Sequence, residues 1–181
     1  VDHSVTHVPV AAYPTALAND EKGNRIFVAS ILGDAMTIII GSTNATQPVP
    51  MPAGSHPNRV AYNATQKRVY VTFQVGNALA IVNPGNRTFQ TLPTFSYVMD
   101  MVVDKFRNKV YLAYQNHLGV MDGVTHVQTT HPHAGNVLFS LALNALTNVL
   151  YGGNLMSNDV TVFAGPPGAI PWTVFKGLAL H

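Results

Sequence analysis

The sequence contains no cysteine, which excludes a disulfide framework, a thiolate nucleophile and any cysteine-held metal. Charge is scarce as well. Charged residues make up 10% of the 181, against about 25% in a typical soluble domain, and Asn, Thr, Gln, Gly and Pro take their place. Ten Lys+Arg against eight Asp+Glu leave a formal net charge of +2, too little to imply a nucleic-acid or anionic-membrane partner. No apolar run reaches the roughly 18 residues of a membrane span; the stretch around Ala35 to Ile40 is strand-sized. Nor does any longer window hold a 3.6-residue apolar period, so amphipathic helices are not expected. A surface this poor in charge suits a secreted all-β protein or a subunit covered by neighbours. An extracytoplasmic location is therefore expected. A start at Val1 with no visible targeting segment fits a processed or trimmed chain.

What the chain does have is repetition. Polar residues Asp20, Asn63, Asp104 and Asn144 recur at spacings of 43, 41 and 40 residues, and we treat them as anchors that end the first strand of each unit. Six residues after each anchor comes a short apolar strand, starting at Ile26, Val69, Val110 and Leu150. Turn signals follow at Gly33-Asp34, Gly76-Asn77, Asn116-His117 and Ser157-Asn158, and then a second alternating strand in every copy. Period-2 patterning with β-branched and aromatic residues between regular turns argues for strands. With strands labelled A to D, A ending at the anchor, each unit is a four-stranded antiparallel sheet that cannot bury both faces alone. Radial stacking of such units is the β-propeller solution. The expectation is one all-β propeller or partial propeller over residues 1–181, with blades near 11–53, 54–94, 95–134 and 135–181.

The block Arg68-Val69-Tyr70-Val71-Thr72, followed by Gly76-Asn77-Ala78-Leu79-Ala80-Ile81-Val82, resembles the YVTN repeat of bacterial and archaeal β-propellers. The first and third units match similarly, while Gly152-Gly153 departs from the pattern in the fourth. The resemblance implies a fold and no shared active site, because the motif residues are core and turn residues. Propellers of this family usually carry more than four blades. Three arrangements are therefore open: a closed four-bladed ring, a piece of a larger propeller, or a ring completed by a second chain. Val8-Pro9-Val10, aligned with Met51-Pro52-Ala53, reads as an outer D strand, and so does Trp172-Thr173-Val174-Phe175.

In a propeller the D-to-A and B-to-C loops share one edge. Tyr13, His56, Tyr97 and Val137 each stand seven residues before an anchor on a D-to-A loop; His131 and His133 lie near the last such loop, and His117 falls on the third B-to-C turn. Imidazoles at His56, His131 and His133 could bind a transition metal or haem iron, and tyrosine can stack on a planar ligand. Surface histidine in a polar loop is the plain alternative. Four residues before the anchors, Arg59 and Asp100 occupy equivalent positions in neighbouring units. They are expected to form an ion pair, or Arg59 to hold an anionic ligand group. No Gly-x-Ser-x-Gly, Gly-rich phosphate loop or His-Glu-x-x-His occurs. Asn-x-Thr sequons stand at Asn44, Asn63 and Asn86 on the opposite edge. The leading functional expectation is a non-catalytic binding or scaffolding subunit, with no cofactor, whose blade faces are covered by protein subunits of the same or another kind. The alternatives are a redox or hydrolytic propeller using the histidines, and a lectin-like carbohydrate binder.

Overall fold

The structure is a computed structural model and describes residues 4–132 and 135–164. The first sheet comprises β1 (Pro14–Asp20), β2 (Arg25–Ser30), β3 (Ala35–Ile40) and β4 (Ala45–Pro50), hydrogen-bonded in that order. The second repeats it with β5 (Pro57–Asn63), β6 (Arg68–Phe73), β7 (Ala78–Asn83) and β8 (Thr88–Pro93). The third holds β9 (Asp100–Asp104), β10 (Lys109–Ala113), β11 (His117–Asp122) and β12 (Gln128–Pro132). The fourth has three strands among the described residues: β13 (Leu138–Asn144), β14 (Val149–Asn154) and β15 (Asp159–Ala164). No described helix is long and apolar enough to cross a membrane.

All four anchors end the first strand of their sheet, as the repeat predicts. The turn chemistry explains why. In most hairpins the last turn residue has positive φ, as at Asn24, Asp34, Asn44, Asn77, Asn108, Asn148 and Asn158. Asn and Asp tolerate this left-handed conformation better than other residues that carry a Cβ. The third sheet departs from the rule. Its β10–β11 turn is closed by the Tyr114 amide donating to the His117 carbonyl at 3.0 Å. His117 is thus the first residue of β11 and not a turn residue, because this hairpin is one residue shorter than its counterparts.

Two expectations about outer strands change. Residues 8–10 form no strand, and the outer strand of the first sheet is β4, which ends just before Met51. Pro9 has no amide to donate, and beyond β4 a single bond, Met51 amide to Asp34 carbonyl, continues the pairing. The Trp172–Phe175 strand falls outside the described residues.

The chain divides into two compact units. One is Val1–Tyr62 with Arg68–Leu92; the other is Asn63–Lys67 with Pro93–His181. In the first, Phe27, Ala29, Met36 and Ile38 of one sheet pack on Val60, Val69, Val71 and Ala80 of the next. In the second, Tyr111, Ala113 and Leu118 pack in the same way with Leu138, Leu150 and Phe163. Numbered from the anchor, positions +7 and +9 of one sheet meet positions +6 and +8 of its successor.

Asp20, Asn63 and Asp104 are buried and Asn144 is exposed, and all four are satisfied locally. Asp104 Oδ1 accepts the amides of Phe106 (2.9 Å) and Arg107 (3.1 Å), and Oδ2 pairs with Arg107 Nη1 at 3.0 Å. Asn63 Oδ1 accepts the Thr65 and Gln66 amides, and Asn144 Oδ1 the Thr147 amide. Replacing Asp104 by Ala would orphan two turn amides and is expected to cost about 2 kcal/mol. Asp104→Asn, which keeps the acceptor oxygen, should recover part of that in urea denaturation. Equal stability of Asp104→Ala and the parent would contradict this role.

Candidate functional site

Of the residues nominated for function, Tyr13, His56 and Tyr97 stand on loops entering the sheets, while Arg59, Asp100, His117 and His131 lie in strands. Tyr13, His56 and Val137 all have positive φ, between 53° and 61°. For Tyr and Val this is costly, and it persists only when the surroundings enforce it. The surroundings here are two repeated backbone bonds. The carbonyls of Tyr13, His56 and Val137 accept the amides of Ile31, Gln74 and Leu155, at 3.0, 2.9 and 2.9 Å. The carbonyls just before them, on Ala12, Ser55 and Asn136, accept the amides of Gly33, Val75 and Met156. The loop entering each of these sheets is thereby sewn to the loop between its second and third strands. Tyr97 does not share this arrangement, since β9 starts late and the Met99 amide instead donates to the Ala113 carbonyl.

In the first unit, Asp34 performs the most work at this edge. Its Oδ2 accepts the Gly54 amide at 2.7 Å and its Oδ1 the His56 amide at 3.0 Å. These two amides hold its carboxyl below the usual carboxylate range. The sequence reading noted Asp34 only as a turn residue and missed this role. Its signal was an aspartate where the equivalent turns carry Asn77 and Asn158. Tyr13 is exposed and His56 half-buried. Arg59 Nη1 donates to Asn58 Oδ1 at 2.8 Å and is turned along its own strand by that bond.

In the second unit, Asp100 Oδ2 accepts the Leu141 amide at 2.7 Å, tying β9 to β13 just past a register shift between Leu138 and Ser140. Arg59 lies in the first unit and Asp100 in the second. His117 pairs with Pro132 and His131 with Leu118 across neighbouring strands. The pleat therefore sends the two imidazoles to opposite faces of the sheet. His133 lies outside the described residues. Among the described residues, no three His, Asp or Glu groups converge on a point where they could hold a metal ion.

The sequence reading also missed Tyr114. It is fully buried, meets Phe95 edge-on at 6.0 Å, and its hydroxyl donates to Gln128 Oε1 at 3.4 Å. Burial pushes this hydroxyl up to about 12. A Cβ on Gly119 would lie 2.6 Å from the Tyr114 ring, so the glycine makes room for it. That glycine interrupting the β11 alternation was the available signal. At the opposite edge, Asn44 and Asn86 are exposed, whereas the Asn63 side chain is buried and donates to Asn108 Oδ1 at 2.7 Å. The folded chain therefore closes the Asn63 sequon to modification.

No protein-family model matches the chain, and no curated protein matches its sequence. Solved structures do match by fold. Hydrazine synthase from Kuenenia stuttgartiensis aligns with a TM-score of 0.74 at 12% identity, over 90% of this chain and 48% of that one. A streptogramin B lyase gives 0.73 at 9%, over 85% and 52%. A chain of the nidogen/laminin complex gives 0.74 at 10%, over 85% and 61%. These are propeller folds, and at such identities the likeness is one of fold alone. The chain spans about half the length of the structures it matches. Its own sheets are of the β-propeller type.

Two expected outcomes follow from the site. Asp100→Ala should destabilise the protein by about 1–2 kcal/mol by orphaning the Leu141 amide, read by thermal and urea unfolding. Acid should act through Asp34 and Asp122. Asp122 is held low chiefly by Lys109 Nζ at 2.8 Å, then by the Thr125 and Val124 amides. Since both folded values lie below the unfolded 3.8, their stabilisation is complete above about pH 4 and fades as pH falls further. Melting temperatures from pH 6 to 2 should drop only below that point, and less steeply for the Asp34→Asn, Asp122→Asn double variant.

Proposed function

We propose that the chain is a YVTN-type β-propeller acting as a non-catalytic binding or scaffolding subunit of a larger extracytoplasmic assembly. The observation that carries this reading is how its polar groups are spent. Asp20, Asp34, Asp100, Asp104, Asp122 and Asp159 are all engaged by backbone amides, by Arg or Lys partners, or by neighbouring amide and hydroxyl groups. A general acid or base needs a carboxyl facing substrate with a pKa moved toward neutrality. Asp20, Asp34 and Asp122 are moved the other way. Aromatic and aliphatic side chains, in contrast, are exposed in quantity, among them Leu17, Phe95, Phe139, Tyr151, Leu155 and Val160. Apolar side chains left exposed support contact with other macromolecules where they adjoin one another. The chain from the nidogen/laminin complex is a propeller neighbour found with a protein partner.

Metal analysis and an absorption spectrum of the purified protein test the reading. It expects neither a stoichiometric transition metal nor a Soret band. Either would replace it with a cofactor-bearing propeller. Specific retention on a glycan array would replace it with a lectin.

A further inference from the structure

The net charge of +2 hides how the second unit distributes its charges. Its described Lys and Arg residues are Lys67, Lys105, Arg107 and Lys109. All four stand in or beside the turns between the first and second strands of a sheet. Two of its described carboxylates share that edge, Asp104 paired with Arg107 at 3.0 Å and Asp122 with Lys109 at 2.8 Å. The other two, Asp100 and Asp159, begin strands at the opposite edge. Asp104 is fully buried, so the charge that the turn edge presents outward is positive.

Hydrogen bonds fasten these turns to one another. Thr65 Oγ1 donates to the Lys105 carbonyl at 2.6 Å, and Arg107 Nη1 to the Ala145 carbonyl at 3.1 Å. The Gly123 amide donates to the Asn108 carbonyl at 2.9 Å. The tips of the joined turns carry apolar side chains: Phe106 and Val124 are each 63% exposed and Leu146 is 88% exposed. The turns themselves do not ask for them. Two residues after the anchor, the first and second sheets have Lys22 and Thr65 where the third and fourth have Phe106 and Leu146. The position of Val124 is held by Ser42 and Gly85 in the first two sheets. Charge and apolar surface also meet at a single tip, with Lys105 Nζ 5.4 Å from the centre of the Phe106 ring.

We propose that this turn edge of the second unit docks on an anionic lipid surface. Phe106, Val124 and Leu146 enter the boundary between headgroups and acyl chains, and Lys67, Lys105 and Arg107 meet the headgroup phosphates. Single apolar side chains at the tips of separate turns, with cations beside them, suit a surface that yields to each tip. The apolar ends leave water while the ammonium and guanidinium groups stay at the level of the anionic headgroups. A nucleic acid would use the cations but would set the apolar tips against phosphate, with no gain from them. The inference adds a membrane surface to the protein contacts proposed above and does not depend on them.

Vesicle flotation of the full chain tests it. The protein should float with vesicles of equal parts phosphatidylglycerol and phosphatidylcholine, stay behind with phosphatidylcholine alone, and be released by high salt. Phe106→Ser should weaken binding about tenfold and Lys105→Gln about fivefold. Melting temperatures should not change, both side chains being exposed already. Leu32→Ser, on an exposed turn at the other end of the strands, should bind like the parent. Because the chain has no cysteine, Phe106→Cys can carry a single polarity-sensitive fluorophore. Its emission should move to the blue on anionic vesicles, and the same label on Leu32→Cys should not respond. No flotation with anionic vesicles, equal flotation with neutral ones, or flotation without a shift at position 106 would overturn the proposal. So would binding that Phe106→Ser leaves intact and heparin displaces, which would assign the cations to a soluble polyanion.

Discussion

Each sheet turns on a polar residue placed where a β-protein can least leave one unsatisfied. Asp20, Asn63 and Asp104 are buried at the end of the first strand, where an isolated polar side chain would be costly. Each answers that cost by accepting amides of the turn that follows it. Some also reach onward. In the first unit the Asp20 carboxylate is gripped by Arg25 at 2.7 Å and receives the Tyr62 hydroxyl. In the second, Thr65 Oγ1 donates to the Lys105 carbonyl at 2.6 Å, and Arg107 Nη1 to the Ala145 carbonyl at 3.1 Å. One side chain thus fixes a strand end, and the turn beside it extends the order to the next sheet.

The opposite edge is held by different means. There the backbone itself closes the loops, and left-handed residues such as Tyr13 and Val137 are kept in place by paired carbonyl–amide bonds. The third sheet escapes the pattern through its shorter β10–β11 turn. Its Gln115 carbonyl is left to accept the Leu138 amide of the following strand. Asp100 grips Leu141 nearby. The second unit therefore joins its two sheets at this edge by cross-sheet bonds as well as by core packing.

This division bears on function. Groups that first read as chemical candidates are largely part of the frame. His56 contributes its amide to Asp34, Asp100 holds a strand, and His117 and His131 face apart. Large apolar side chains are meanwhile exposed on turns and strands of all four sheets, from Leu32 and Val75 to Phe106 and Leu146.

Strand ends, turn positions and the number of sheets were legible in the sequence, because each depends on residues within a few positions of one another. An anchor and the turn amides it accepts are three residues apart or fewer, and a left-handed Asn closes the turn it sits in. The roles of Asp34, Asp100 and Tyr114 were not legible. Their partners lie about 20, 41 and 14 residues away, at distances no local pattern encodes. Exposure was beyond the sequence for the same reason. Tyr70, Tyr111 and Tyr151 occur in nearly the same local pattern, and only the packing of neighbouring sheets decides that two are core and the third is surface.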